Sequence, residues 1–89
     1  MEAIKVLVVD DSAVVRRLLS DTLSAEEGIR VLAAVDSASA ALARLDIEEP
    51  DVVTLDVEMP GVSGLELLEK IRRRLPRLPI IMFLSLIHI

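Results

Sequence analysis

IKVLVVDDS (residues 4–12) is an apolar run that ends in two adjacent carboxylates and a serine. Ile4–Val9 is apolar on both faces and rich in β-branched residues, which is typical of a strand buried between two helical layers. Ser12 is a favourable helix N-cap, so a helix is expected directly after the carboxylates. A buried strand, a charged tip and a helix in immediate succession indicate an α/β fold.

The chain repeats this order of strand and helix. Buried, β-branched runs predict the strands, and apolar residues at helical spacing predict the helices between them. Ser63 and Glu66 have the spacing of a capping box, which predicts that the third helix begins at Gly64. The predicted strands are Ile4–Val9, Ile29–Val35, Val52–Leu55 and Ile80–Phe83, and the predicted helices run from Ser12 to Gly28, from Asp36 or Ser37 to about Leu45, and from Gly64 to Pro76.

Apolar stripes mark the helix faces that we expect to be buried. Arg16 and Arg17 of the first helix lie on the face opposite its stripe. The predicted stripes consist of Val14, Val15, Leu18, Leu19 and Leu23 in the first helix, and of Leu65, Leu68, Ile71 and Leu75 in the third.

The order βαβαβαβ in 89 residues predicts one three-layer α/β/α domain with a parallel sheet of about four strands and three helices. The crossovers between parallel strands are expected to be right-handed, and the expected strand order is 2-1-3-4. The order then reverses between the first and third strands, where ligands of such sheets usually bind.

Composition limits the classes of function. The chain is 53% hydrophobic, carries a net charge of −5 and has no cysteine, which argues against nucleic-acid binding, a disulfide framework and a cysteine-based zinc site. The basic cluster of Arg72, Arg73, Arg74 and Arg77 is interpreted as a solvated helix end. No leader precedes the first strand, and the apolar run Ile80–Ile89 is about half as long as a membrane-spanning helix. We therefore expect a cytoplasmic domain without membrane contact.

Three carboxylates are expected to meet at one edge of the sheet. Asp10 and Asp11 end the first strand, Asp56 ends the third, and these two strands are predicted neighbours. Two unit charges about 4 Å apart repel by roughly 4 kcal/mol at an effective dielectric constant near 20. The cluster therefore favours a bound cation or an added proton. Ligands that are all oxygen atoms predict Mg²⁺.

Asp56 is also the candidate nucleophile. A carboxylate can attack phosphorus to give an acyl phosphate, while a metal offsets the charge of the incoming phosphoryl group. Asp56 stands alone at its strand end, before a Met-Pro-Gly loop that leaves its carboxylate open. A single strand-end aspartate is more often a cap or loop residue. The prediction depends on the joint pattern of an apolar strand with DD and a later apolar strand with D-x-x-M-P-x-x-x-G-L.

On these residues the sequence resembles the receiver domain of two-component response regulators. The matching blocks are VLVVDDS (6–12) and DVVTLDVEMPGVSGLELLEKI (51–71), and the resemblance extends over residues 4–83. It implies a flavodoxin-like fold, here truncated, and phosphorylation of an aspartate by a partner sensor histidine kinase. Position by position, it implies that Asp56 is the phosphoacceptor and that Mg²⁺ is held by Asp10, Asp11, Asp56 and the backbone carbonyl of Glu58.

Within that family, the two blocks are most similar to the N-terminal receivers of chemotaxis protein-glutamate methylesterases. This resemblance implies a covalently linked output domain that removes methyl esters from chemoreceptor glutamates. Residues 1–83 would then form a partial receiver domain that is not itself an enzyme. Receivers of transcriptional response regulators share most of these residues and are the first alternative.

Two other functions fit the residues less well. An aspartate-nucleophile phosphatase of the haloacid dehalogenase type also places aspartate after its first strand, but that chemistry requires D-x-D. Asp10 and Asp11 are adjacent, so this match fails. A pseudo-receiver that only binds partners would have an incomplete set of acidic residues, whereas all three are present here.

The C-terminal residues depart from the family pattern. The family has Ser or Thr at the end of the fourth strand, where Leu84 stands, and a lysine at the end of a fifth strand. LSLIHI (84–89) is what CTGTCTCTTATACACATC encodes, a transposase end used in sequencing libraries. We predict that residues 84–89 are a non-native tail read from a sequencing adapter, which resequencing of the source locus would test. The fourth strand is expected to be an open apolar edge that favours association between chains.

Overall fold

The computed structural model describes residues 2–57, 59 and 63–83. Its strands form one parallel sheet in the order 2-1-3-4, numbered along the chain, which confirms the predicted topology. No helix in this part of the chain is long and apolar enough to cross a membrane. The prediction for residues 84–89 falls outside the described residues. The elements are β1 (Ile4–Val9), α1 (Ala13–Ser24), β2 (Ile29–Val35), α2 (Ala38–Ile47), β3 (Val52–Asp56), α3 (Gly64–Arg74) and β4 (Ile80–Phe83).

The main core lies between the sheet and helices α2 and α3. Alternate residues of β1 and β3 point to this face, as the two-residue period of a strand requires. Full burial of an aliphatic side chain contributes about 1.5–3 kcal/mol relative to exposure. The buried members of the main core are Leu7, Val9, Ala41, Val53, Leu55, Leu67, Ile71 and Leu78.

Helix α1 covers the opposite face of the sheet. The intervening residues of β1, Val6 and Val8, are buried there, and α1 contributes the buried Val15. The first crossover runs one way across the sheet and the later two run the other way. Because crossovers are right-handed, α1 lies on one face and α2 and α3 lie on the other. The three-layer architecture is therefore confirmed.

A serine N-cap precedes each of the three helices. The hydroxyls of Ser12, Ser37 and Ser63 accept a hydrogen bond from the backbone N–H three residues later, at 3.3, 3.2 and 3.2 Å. The predicted starts of α1 and α3 are thereby confirmed. The predicted end of α1 was wrong, because the helix ends at Ser24. Gly28 instead turns the chain into β2 with φ of 84°, a conformation that glycine adopts without steric cost.

The buried faces of α1 and α3 agree with the predicted stripes in part, because Val15 and Ile71 are buried and Leu68 and Leu75 pack against the main core. Val14 and Leu18 of α1 are exposed, and so is Leu65 of α3, whereas Leu67 is fully buried in the main core. In α3, Leu65 with Leu68 and Leu67 with Ile71 both have helical spacing, so the pattern alone does not decide which face is buried. The packing of the first turn of α3 against β3 decides it.

The pairing of β1 with β2 shifts by one residue at Leu32. Before the shift Val6 pairs with Val31, and after it Leu7 pairs with Ala33. The guanidinium group of Arg44 in α2 donates a hydrogen bond to the carbonyl of Leu32, the extra residue, at 3.4 Å. Because of this shift, the side chains of Ala33 and Val35 in the second half of β2 pack against the main core.

Two arginines of the basic cluster make structural contacts. Arg72 donates hydrogen bonds to the carbonyls of Leu75 and Leu78, which close the end of α3. Arg74 forms an ion pair with Asp46 of α2 at 2.9 Å. These two side chains therefore fasten the end of α3 to its neighbours.

Candidate functional site

Asp10 follows β1 directly and is fully buried. Its backbone N–H donates to the carbonyl of Val35 in β2 at 3.0 Å, and its Oδ1 accepts from the backbone N–H of Ser12 at 2.8 Å. The guanidinium of Arg16 donates to the Asp10 carbonyl at 2.8 Å. Aspartate suits this position because its short side chain can bond to the backbone two residues later. The turn from β1 into α1 is therefore held at several points.

Asp11 lies between these fixed residues and is half-buried. Its Oδ1 is enclosed, and among the described residues it has no hydrogen-bond partner. Enclosing a carboxylate oxygen without a partner costs free energy. A cation at this oxygen would offset that cost.

Asp56 is the last residue of β3 and is fully buried. The sequence predicted that the strand ends at Leu55, but Asp56 still pairs with Phe83 of β4. The next residue, Val57, donates its N–H to the carbonyl of Phe83 at 2.8 Å. The ladder with β4 thus continues through the acidic residue and fixes its backbone.

The structure brings together the three carboxylates that were expected to share a crevice. One carboxylate oxygen from each of Asp10, Asp11 and Asp56 lies within 4.8 Å of the others. We call these three residues the acidic cluster. Glu58, whose backbone carbonyl was expected to be a further ligand, lies outside the described residues.

The acidic cluster has the donor atoms and spacing that suit a hard divalent cation. Oxygens bound to one octahedral ion at about 2.1 Å lie roughly 3 to 4.2 Å apart. A spacing of up to 4.8 Å requires only small side-chain adjustments to reach that range. The enclosed Oδ1 of Asp11 fits a ligand atom that still needs a positive partner. A cation would also remove the repulsion among the three charges.

Gly64 brings the first turn of α3 against the backbone of the site. Its N–H donates to the carbonyl of Val57 at 2.9 Å. A Cβ at this position would lie 2.5 Å from the backbone oxygen of Asp56 and 2.7 Å from the Cα of Val57. Only glycine permits this approach. The glycine of D-x-x-M-P-x-x-x-G-L was the available signal, but its steric role was not predicted.

Arg16 is the second contributor that sequence reasoning missed. The helical pattern placed it opposite the apolar stripe, together with Arg17. In the structure Arg16 is half-buried and reaches back to the carbonyl of Asp10, whereas Arg17 is exposed and pairs with Asp21 at 3.6 Å. No sequence period encodes a contact between a side chain and a carbonyl in the preceding turn.

Comparison with known proteins extends the similarity over nearly the whole chain. Residues 6–86 match the response regulator receiver domain. The chain is 42% identical over 83 residues to the protein-glutamate methylesterase/protein-glutamine glutaminase of Trichodesmium erythraeum, which covers 93% of this chain and 24% of that protein. The chain thus spans about a quarter of the length of the curated relatives that it matches.

Solved structures share the fold at similar identity. The response regulator domain of Thermotoga maritima CheB matches with a TM-score of 0.87 at 36% identity, over 98% of this chain and 64% of that one. A chain in the complex of histidine kinase ThkA with response regulator TrrA matches with a TM-score of 0.83 at 35% identity, over 99% of this chain and 72% of that one. Since the matched residues include all four strands and the acidic cluster, this chain belongs to the response regulator receiver domain family and is a receiver domain of a two-component phosphorelay.

Proposed function

We propose that Asp56 accepts the phosphoryl group and that Mg²⁺ is held by Asp10, Asp11, Asp56 and the backbone carbonyl of Glu58. The observation that carries this proposal is the convergence of three carboxylates within 4.8 Å, two of them fully buried. Burying like charges together destabilises the fold. A ligand that requires them accounts for the arrangement, whereas a purely structural role does not.

The surroundings of the three residues support different roles for them. Asp10 accepts a hydrogen bond from Ser12 and anchors the turn after β1, so it is less suited to act as a nucleophile. Asp11 has an enclosed oxygen without a hydrogen-bond partner in the described part of the chain, which suits a direct metal ligand. Asp56 lies at the end of β3, at the switch point of the sheet, and its position matches the family's phosphoacceptor.

The proposed step is a phosphoryl transfer from a phosphohistidine. A carboxylate oxygen of Asp56 attacks phosphorus, and the new O–P bond forms as the P–N bond breaks. The electron pair of the broken bond returns to the ring nitrogen of the donor histidine, which leaves an acyl phosphate on Asp56. When bound, Mg²⁺ supplies positive charge that offsets the phosphoryl oxygens.

The partner that we infer is a cytoplasmic sensor histidine kinase. The match to a response regulator in complex with a histidine kinase supports this class of partner. The methylesterase relative supports a chemotaxis methylesterase as the parent protein, whose ester hydrolysis would reside in a linked output domain and not in residues 1–83. We expect no contact of this domain with nucleic acid or membrane.

Phosphate labelling tests the proposal. A receiver domain that contains these residues and extends through a fifth strand is incubated with acetyl phosphate and MgCl₂, and intact mass spectrometry detects a phosphoryl adduct that hydroxylamine removes, as expected of an acyl phosphate. Residues 1–89 alone, without the fifth-strand lysine of the family, are expected to be labelled only weakly. We expect the adduct on the unchanged extended domain and its loss in Asp56→Asn. Omission of MgCl₂ or addition of a chelator should also abolish it.

Asp36→Asn is the matched control. Asp36 directly follows β2 at the same edge of the sheet, but it is exposed and lies outside the acidic cluster. This variant should be labelled like the unchanged extended domain. Equal labelling of Asp56→Asn, or no labelling of the unchanged extended domain, would contradict the proposal.

A further inference from the structure

Arg16 is the basic residue of α1 that contacts the turn carrying the acidic cluster. It is the fourth residue of α1, and its backbone N–H donates to the carbonyl of Ser12 at 2.9 Å as the helix begins. Its side chain runs back along the helix, and its guanidinium donates to the carbonyl of Asp10 at 2.8 Å in a partly buried position. The side chain therefore bridges the first turn of α1 and the end of β1.

With this bridge, the residues on both sides of Asp11 are held by hydrogen bonds. Asp10, the residue before Asp11, is held by two hydrogen bonds. Its carbonyl accepts from Arg16, and its N–H donates to the carbonyl of Val35 in β2. The residue after Asp11, Ser12, donates its N–H to Asp10 and caps α1. Because the enclosed Oδ1 of Asp11 has no hydrogen-bond partner among the described residues, these neighbours determine the direction of its carboxylate.

We propose that Arg16 is a positioning residue of the metal site: through the carbonyl of Asp10 it holds the β1–α1 turn so that the carboxylate of Asp11 faces the other two. The inference rests on the proposed Mg²⁺ site and adds a residue that is neither a ligand nor a phosphoacceptor. Groups that orient metal ligands typically change affinity by about 10- to 100-fold when they are removed.

The charge of Arg16 predicts the opposite effect. A guanidinium bonded to the turn that carries the acidic cluster repels an incoming cation, so its removal alone would tighten Mg²⁺ binding. Positioning predicts weaker binding after the same change. The sign of the change in affinity therefore separates the two roles.

Isothermal titration calorimetry of the 89-residue chain with MgCl₂ measures that sign. We expect Arg16→Met to weaken Mg²⁺ binding about tenfold, and Arg16→Lys, which keeps the charge and one donor, to restore part of the affinity. Arg17→Met is the matched control, because Arg17 is 84% exposed and pairs only along the helix with Asp21 among the described residues. Unchanged or tighter binding by Arg16→Met would overturn the inference.

A second measurement needs no metal. Amide hydrogen exchange followed by NMR reports the Ser12 N–H, which bonds to the Asp10 side chain in the turn that Arg16 holds. In Arg16→Met we expect this amide to exchange about tenfold faster, while the core amide of Val53 changes by less than about twofold. Unchanged exchange at Ser12, or equal acceleration at Val53, would show that Arg16 does not position the turn. If the unchanged chain binds no Mg²⁺, the proposed function fails while this measurement still decides the role of Arg16.

Discussion

A side chain at position 64 would have to occupy space taken by the backbone of the acidic site. A Cβ there would meet the carbonyl oxygen of Asp56 at 2.5 Å, and a backbone atom cannot move aside like the end of a side chain. We expect Gly64→Ala to lower the free energy of unfolding by about 1–3 kcal/mol. Urea denaturation followed by far-UV circular dichroism measures this loss.

Gly28 is the control for that variant, because its backbone conformation requires glycine, whereas the lack of space requires glycine at position 64. Its φ is 84° and no atom lies within 4 Å of a Cβ built there. Gly28→Ala should cost about 1–2 kcal/mol, and Gly28→Asn less, since asparagine visits the left-handed region more readily. Gly64→Asn should be at least as damaging as Gly64→Ala. Tolerance of asparagine at both positions would show that the steric explanation is wrong.

Asp11 allows a test of the repulsion within the acidic cluster. Without divalent cations, Asp11→Asn should raise the free energy of unfolding by about 1 kcal/mol, because one of three neighbouring charges is removed from a half-buried position. Added MgCl₂ should stabilise the unchanged chain and leave this variant nearly unaffected. Urea denaturation with and without MgCl₂ measures both effects, with Asp36→Asn for comparison. A variant that Mg²⁺ stabilises as much as the unchanged chain would exclude Asp11 as a ligand.

At the scale of the element, two leucines of α3 differ sharply in their surroundings. Leu67 is fully buried in the main core, whereas Leu65 is 59% exposed. Leu67→Ala should lower the free energy of unfolding by about 2–5 kcal/mol, and Leu65→Ala by less than about 0.5 kcal/mol. Urea denaturation of the two variants compares them directly. Similar losses would mean that α3 is rotated about its axis so that Leu65 is also buried.

The strands were predictable from sequence almost residue by residue, and the helix faces only in part. The strands are short, apolar runs, most of whose boundaries are charged, glycine or proline residues, and only Asp56 was left out of its strand. A strand buried on both sides needs no choice of face. Helix α3 offers two apolar pairs at helical spacing, and the choice between them depends on the contact of Gly64 with β3. That contact depends on tertiary geometry.

In the acidic cluster, too, some features follow from the sequence pattern and others depend on tertiary contacts. Asp10, Asp11 and Asp56 could be placed together because the carboxyl ends of neighbouring parallel strands meet at one edge. The roles of Gly64 and Arg16 arise from a close approach of two backbones and from a bond to a carbonyl. Neither contact leaves a periodic pattern in the sequence.

For the whole molecule, the two faces of the sheet are covered unequally. Helices α2 and α3 seal the main core, while on the other face α1 packs against β1 and β2. Strand β4 is an edge of the described sheet, and its Ile81 is 58% exposed. An apolar edge strand with unpaired backbone groups favours pairing with another chain.

We therefore expect the 89-residue chain to self-associate as its concentration rises, and Ile81→Lys to reduce this association. Charged side chains on an edge strand oppose such pairing. Sedimentation velocity over a range of concentrations measures it. Leu65→Lys is the control, because Leu65 is equally exposed but belongs to helix α3 and not to an edge strand. Monomers at every concentration, or equal relief by both variants, would contradict this expectation.

The extra residue at Leu32 has a consequence for how homologous chains vary in length. Deleting it would let β1 and β2 pair without interruption, with Val6 still opposite Val31 and Leu7 still opposite Ala33, so each side chain of β2 would keep its present face. A homologue with a one-residue gap here should therefore pair its second strand with β1 without a shift and keep the residues that match Ile29–Val31 on the same faces of the sheet. Its spacing from Ala33 to the acidic edge should stay the same, because Val35 holds Asp10 there.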